Sequence, residues 1–146
     1  MMSQNHLGSL PIYKKAIELS TLSRELGSFV SYNKNMLSLY QSDSLRDHIA
    51  DSLITDATLI PQQIARAETS NSVEDRMKSA TFIGIMLRNI NSYCNGLEQD
   101  GVREKEYLNL LRREIRIFRR SFKIWRKSIA KYGHKKETWH FREYLG

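Results

Sequence analysis

The stretch Leu108-Asn109-Leu110-Leu111-Arg112-Arg113-Glu114-Ile115-Arg116-Ile117-Phe118-Arg119-Arg120-Ser121-Phe122-Lys123-Ile124-Trp125-Arg126-Lys127-Ser128-Ile129 carries the clearest periodicity in the chain. Leu108, Leu111, Ile115, Phe118, Phe122, Trp125 and Ile129 recur three and four residues apart without a miss. At 3.6 residues per turn this spacing keeps all seven on one stripe, the a/d seam of a helical bundle. The pattern predicts a helix from about Val102 to Lys131, roughly 45 Å long at 1.5 Å per residue. A stripe of that length has to be buried against other helices.

The same helix carries two further faces. With Leu108 at position a, Arg112, Arg119 and Arg126 fall at e, Arg116 and Lys123 at b, and Arg113, Arg120 and Lys127 at f. These positions lie at about 40°, 100° and 140° around the axis, so the basic residues share one contiguous third of the surface. Like charges three and four apart repel by a few tenths of a kcal/mol per pair. Glu114 alone interrupts them. Position c holds Leu110, Ile117 and Ile124, apolar residues outside the seam. They either widen the core face or form an exposed strip that buries against another subunit.

Working outward, three more helices precede this one. The first follows Ser9-Leu10-Pro11, with Ser9 as N-cap and Pro11 in the first turn, where a missing N–H is harmless. Ile12, Ala16, Leu19, Ser23, Leu26 and Val30 make its stripe. The second begins near Ser42-Asp43-Ser44 and runs to Glu68, with Pro61 deep inside, where a kink is expected. The third runs from Val73 to about Asn95 and is ended by Gly96, Asp100 and Gly101. Its segment Phe82-Ile83-Gly84-Ile85-Met86-Leu87 is apolar on all sides, which implies burial on more than one face. Phe82, Ile85 and Met86 therefore join Leu110, Ile117 and Ile124 as the expected oligomer interface. The expected fold is an all-α, up-and-down four-helix bundle over residues 10–131, with an N-terminal extension 1–9 and a basic aromatic tail 132–146.

Composition fits one domain. The 146 residues should bury roughly 70% of their unfolded surface. No run reaches about 18 apolar residues, so no transmembrane helix is expected. The opening residues lack the charged start and apolar stretch of a signal peptide. One cysteine, Cys94, excludes an internal disulfide and a multi-cysteine zinc site. A reducing, cytoplasmic setting is the expectation.

The net charge of +7 is unevenly spread. Residues 1–101 carry nine Lys/Arg against eleven Asp/Glu, and residues 102–146 carry fourteen against five. All the excess sits in the last third, with Arg ahead of Lys by eight to six. Arginine suits bidentate phosphate contact better than mere solubility. The readings are a polyanion such as nucleic acid, a solvated face, or an acidic protein partner. In the tail, Lys131, Lys135, Lys136 and Arg142 interleave with Tyr132, Trp139, Phe141 and Tyr144. That mixture suits stacking on unpaired bases, or docking of the rings onto the bundle or a neighbour.

Signals for catalysis are weak. There is no Gly-rich phosphate loop, nucleophile elbow or His-Glu helix motif. His6, His48, His134 and His140 are scattered. Asp47, Asp51, Asp56 and Glu68 lack the Glu-x-x-His pairing of a carboxylate metal bundle and read as solvated acids or intersubunit ion pairs. Cys94 falls on an apolar face, as a small core residue does. No catalytic residue, metal or cofactor is expected, and the chain reads as a non-enzyme.

Leu10-Pro11-Ile12-Tyr13-Lys14-Lys15-Ala16-Ile17-Glu18-Leu19 is similar to the first-helix signature of the four-helix-bundle proteins encoded within intervening sequences of bacterial large-subunit ribosomal RNA genes. Leu59-Ile60-Pro61-Gln62-Gln63-Ile64-Ala65 resembles that family's Ser-Ile-Pro-x-x-Ile-Ala segment, which accounts for the mid-helix proline. The family includes the accessory variability determinants of diversity-generating retroelements, and Ser70-Asn71-Ser72-Val73, Leu87-Arg88 and a fourth helix ending near Trp125 resemble that branch. The resemblance covers about residues 10–130. Arg66-Ala67-Glu68 departs from the ribosomal branch, which has Glu-Gly after the alanine.

The resemblance implies a homopentameric barrel of four-helix protomers that binds nucleic acid, with Arg88 a possible contact on the third helix. It implies a partner reverse transcriptase and template RNA, bound as RNA or an RNA–DNA hybrid, in mutagenic retrohoming. The ribosomal branch implies an RNA-binding protein of the intervening sequence. A protein-interaction scaffold whose basic face docks an acidic partner is the alternative to nucleic-acid binding. The nucleic-acid contacts expected are Arg88, Arg112, Arg113, Arg116, Arg119, Arg120, Lys123, Arg126, Lys127, Lys131, Lys135 and Lys136.

Overall fold

The computed structural model describes the backbone of residues 4–138 and the side chains of residues 6–130. Among the described residues six helices follow in order: α1 (Gln4–Ser9), α2 (Pro11–Val30), α3 (Met36–Gln41), α4 (Leu45–Thr69), α5 (Val73–Gln99) and α6 (Lys105–Thr138). The four long ones form a ring, each packed on two neighbours: α2 on α4, α4 on α5, α5 on α6 and α6 on α2. Neighbours run antiparallel. Gly27 of α2 meets Ala50 and Ile54 of α4, and Gly96 of α5 meets Ile49. Phe29 near the end of α2 lies edge-on to Tyr107 near the start of α6, with ring centroids 5.4 Å apart.

The helix starts are chemically marked. Ser44 Oγ accepts from Asp47 N at 3.3 Å and Ser72 Oγ from Asp75 N at 3.2 Å, satisfying orphan donors of the first turns of α4 and α5. Glu74 and Asp75 add favourable charge at the α5 N-terminus. Pro11 stands first in α2 as expected, but the residue before that helix is Leu10, which supplies no side-chain cap. Ser9 belongs to α1, and its hydroxyl donates to the His6 carbonyl at 2.7 Å. Pro61 is buried within α4, and the helix runs through it to Thr69.

Three boundaries differ from the expectation. A short helix, α3, sits between α2 and α4, capped by Asn35, whose side chain accepts from Ser38 N at 2.8 Å. It buries Leu39 against the bundle. Six residues are too few for a periodic signal, so α3 is held by that cap and one anchor. Second, α5 continues past Asn95 and Gly96 to Gln99. Asp100 caps it and Gly101, at φ +95°, makes the turn, as expected of those two residues, in a left-handed conformation that glycine adopts without strain. Third, α6 starts at Lys105 rather than Val102, and it takes in the first part of the expected tail, to Thr138.

All seven seam residues of α6 are buried, from Leu108 to Ile129. Phe118 stacks on Phe122 at 6.2 Å, and Phe122 tilts against Trp125 at 6.1 Å. They pack with Leu19, Leu53, Ile60, Ile64, Ile83, Leu87 and Ile90 in one core.

Two glycines test the packing with opposite signs. A Cβ on Gly27 would stand 2.7 Å from two atoms of Ile54, whereas one on Gly84 would meet nothing within 4 Å. A helix-interior Gly costs about 1 kcal/mol relative to Ala. Gly84→Ala should therefore stabilise by about 1 kcal/mol, raising Tm by roughly 2–4 °C. Gly27→Ala meets about 1–3 kcal/mol of overpacking, which should cancel or exceed the same gain. Thermal melts giving both variants the same shift would show that Gly27 is not a tight contact.

Asp47 is buried at the α3–α4 turn. Its carboxylate accepts from Ser42 Oγ at 2.7 Å and pairs with Lys34 Nζ at 2.8 Å. Burial pushes its pKa up, but Lys34 and Ser42 outweigh this and hold it below the ordinary 3.8. A carboxyl with a depressed folded pKa adds stability above its unfolded value and loses it as pH falls through the folded one. The Asp47→Asn variant should therefore be less stable than the parent at pH 7, with the gap closing as pH falls below 3.8. A gap independent of pH in denaturant titrations would remove the ion pair from the account.

Candidate nucleic-acid interface

α6 separates its faces by periodicity, so the seam that binds the core also aims the cations. Arg113, Arg116, Arg119, Arg120, Lys123, Arg126 and Lys127 are all exposed. None of them makes a salt bridge among the described residues. Arg88 is also exposed, on α5. Met77, Gly84, Asn91 and Asn95 follow one another along α5 at about two-turn or one-turn intervals, which keeps them on one face. Asn95 accepts from Arg112 at 2.7 Å, and Met77 lies beside Lys123 and Arg126, so that face borders α6. Between Thr81 and Asn95 this border carries no carboxylate. Along that stretch α5 therefore supplies no acid to relieve the basic third of α6; its acids stand at the two ends, Glu74 and Asp75 in the first turn and Glu98 in the last.

Arg112 is the exception. Its guanidinium donates to Glu98 Oε1 at 2.7 Å, Asn95 Oδ1 at 2.7 Å and Asn109 Oδ1 at 3.0 Å. It clamps the start of α6 to the end of α5, and a ligand phosphate would have to compete for those donors. The Arg112 hydrogen bond holds Glu98 below the usual carboxylate range, and Lys105, 3.8 Å from Glu98, adds to it. Lys131, Lys135 and Lys136 fall on the last turns of α6, but their side chains lie outside the described residues. Trp139, Phe141 and Tyr144 lie outside them altogether.

The expected oligomer interface divides. Ile124 is 72% exposed, Phe82 51%, Leu110 41% and Ile85 38%. Ile117 is half-buried. Met86 is 2% exposed and belongs to the core, which corrects its assignment to a subunit contact. The all-round apolarity of that segment comes from a core stripe through Ile83, Met86 and Leu87 and an outer pair, Phe82 and Ile85. Leu110 also opens onto a groove of about 300 Å³ with Leu22, Leu26, Phe29 and Tyr107. Sequence reading missed this groove because its α2 members only become neighbours of Leu110 when α2 packs on α6.

Among the described residues three of the four acids of α4, all but Asp51, bond to other side chains of the protomer. Asp56 accepts from the Tyr93 hydroxyl at 2.8 Å, and burial with this bond pushes the phenol up to about 12. Glu68 Oε2 accepts from Trp125 Nε1 at 2.7 Å. Asp47 is held as described above. The bland expectation of solvated helix acids is thus corrected at these three positions. Arg76, almost wholly buried, donates through Nε to the Ala67 carbonyl at 3.3 Å, near the end of α4. Burial pushes the Cys94 thiol up to about 11, which keeps it protonated at neutral pH. Among the described residues no group of three or more His, Cys, Asp or Glu is placed to hold a metal. No described helix is long and apolar enough to cross a membrane. Compared with known proteins, the chain matches no family model, no curated protein and no solved structure.

Proposed function

We propose that this chain is a non-enzymatic, cytoplasmic accessory protein that binds RNA, or an RNA–DNA hybrid, on the outer face of α6. On the sequence resemblance it serves a reverse transcriptase of a diversity-generating retroelement, and it works as a homopentamer. The observation that carries the reading is the row of exposed cations on α6, none of them in a salt bridge among the described residues. Natural surfaces intersperse both signs, and a one-sign row calls for a partner of the other sign. Arginine predominates in the row, as phosphate contact favours.

Assembly is supported by two separate apolar patches. Phe82 shares an α5 face with Asn89 and Tyr93, whose partner Asp56 is on α4. Leu110 instead borders α2. Two different patches suit a heterologous contact, which closes into a ring when the rotation allows.

Fluorescence anisotropy with a labelled RNA tests the reading. If Arg116, Arg119, Lys123 and Arg126 each neutralise a phosphate, log K falls with log salt at a slope of about −3. Affinity then drops roughly 60-fold between 50 and 200 mM salt. Light scattering of the same sample should return a mass of several 17.1 kDa protomers. A strict monomer with no RNA affinity at physiological salt would leave an acidic-protein scaffold in its place.

A further inference from the structure

The α5–α6 border holds more than charge. Near the middle of α6's second half it opens into a depression of about 520 Å³ lined by Met77, Lys123, Arg126, Lys127 and Ala130. Met77 and Ala130 are half-buried and form an apolar floor, and the three cations rim it. Two turns along α5 from Met77, on the same face, stands Gly84, where an added Cβ would meet nothing within 4 Å. A helix-interior glycine weakens its helix, and nothing in the protomer requires one here. Between the two only the small, exposed Thr81 stands on that face, so the lane from Met77 past Gly84 is thinly filled on the α5 side and basic on the α6 side.

We propose that this lane is a binding track for single-stranded RNA, with an unpaired base resting on Met77 and its flanking phosphates on Lys123, Arg126 and Lys127. The proposal deepens the reading above and rests on it. An apolar floor ringed by cations matches a ligand with a flat apolar face and anions beside it. An unstacked nucleotide has both. A duplex keeps its bases inside and offers a valley between two helices only phosphate and sugar. The thioether of Met77 is polarizable and adapts to a flat ring. Gly84 supplies clearance for the adjoining backbone, so that phosphates can lie close to α5 while Lys123 holds them from α6. The aromatic residues usual in single-strand tracks are replaced here by a thioether and lysine and arginine stems.

The test compares a twelve-nucleotide oligouridylate with an RNA duplex of equal length on the full chain, by fluorescence anisotropy at physiological salt. The single strand should bind at least tenfold more tightly. Gly84→Leu fills the lane with a good helix former and should weaken single-strand binding at least tenfold while thermal stability holds or rises. Met77→Glu should do the same, and because Met77 touches the core, Gly84→Leu decides the matter if that variant melts early. Equal or tighter binding of the duplex, or unchanged binding by Gly84→Leu, overturns the track. The combined variant Arg116→Glu/Arg119→Glu/Lys123→Glu separates the two levels. If it abolishes binding while Gly84→Leu does not, only the track falls. If it leaves binding unchanged, the underlying interface falls with it.

Discussion

Reversing Arg116, Arg119 and Lys123 to glutamate together is expected to weaken RNA binding by at least about 100-fold. Each reversal removes an attraction and adds a repulsion, worth roughly 1 kcal/mol per site even at an exposed position. Three such sites exceed the 2.8 kcal/mol or so that corresponds to 100-fold. The salt slope should collapse with the affinity, because the counterions those phosphates release are no longer displaced. The fold should survive. All three side chains are exposed, and none is in a salt bridge among the described residues. The acids at 116 and 123 would stand three or four residues from Arg112, Arg113, Arg120, Arg126 and Lys127, in register for pairs worth about 0.2–0.5 kcal/mol each, while the one at 119 would repel both, as the three cations repel one another in the parent. The variant should melt at or above the parent's temperature. Binding that persists in a well-folded variant would move the RNA contact off α6.

The second large effect is on stability. Trp125 is 6% exposed, stands in the aromatic run with Phe122, and donates its indole N–H to Glu68 across to α4. Trp125→Ala removes a large buried ring and leaves Glu68 without that donor. The expected loss is about 3–5 kcal/mol, a large share of the 5–15 kcal/mol that holds a typical domain. Trp125→Phe keeps most of the volume and loses the hydrogen bond, so about 1–3 kcal/mol is expected. Urea titrations of both variants separate the cavity from the bond. A Trp125→Ala loss below about 1 kcal/mol would mean that the ring is not a core element.

Much of the candidate interface was legible before any folding was known. The cations of α6 sit at heptad positions e, b and f, and burial of the seam leaves those positions outside. Met86 shows where such reasoning stops. An apolar run alone does not say which of its members faces inward, and only the packing of α5 on α4 and α6 sends Met86 in and leaves Phe82 and Ile85 out. The α4 acids show the same limit. Asp56 and Tyr93 are 37 residues apart, Glu68 and Trp125 are 57 apart, and no local pattern pairs them.

Sequence by itself determined the all-helical class, the four long helices, the inward stripe of α6 and the sign of its outward face. Those features are local: a 3.6-residue period, a capping serine and a run of like charges act within a turn or two. Tertiary structure alone decided α3, the Arg112 clamp on Glu98, the groove beside Leu110 and the open lane from Met77 past Gly84. α3, too short for a periodic signal, needs Leu39 anchored in the core beside its Asn35 cap; the other three arise where two helices meet, and the side chains that make them are set by interhelical register, which periodicity within one helix does not encode.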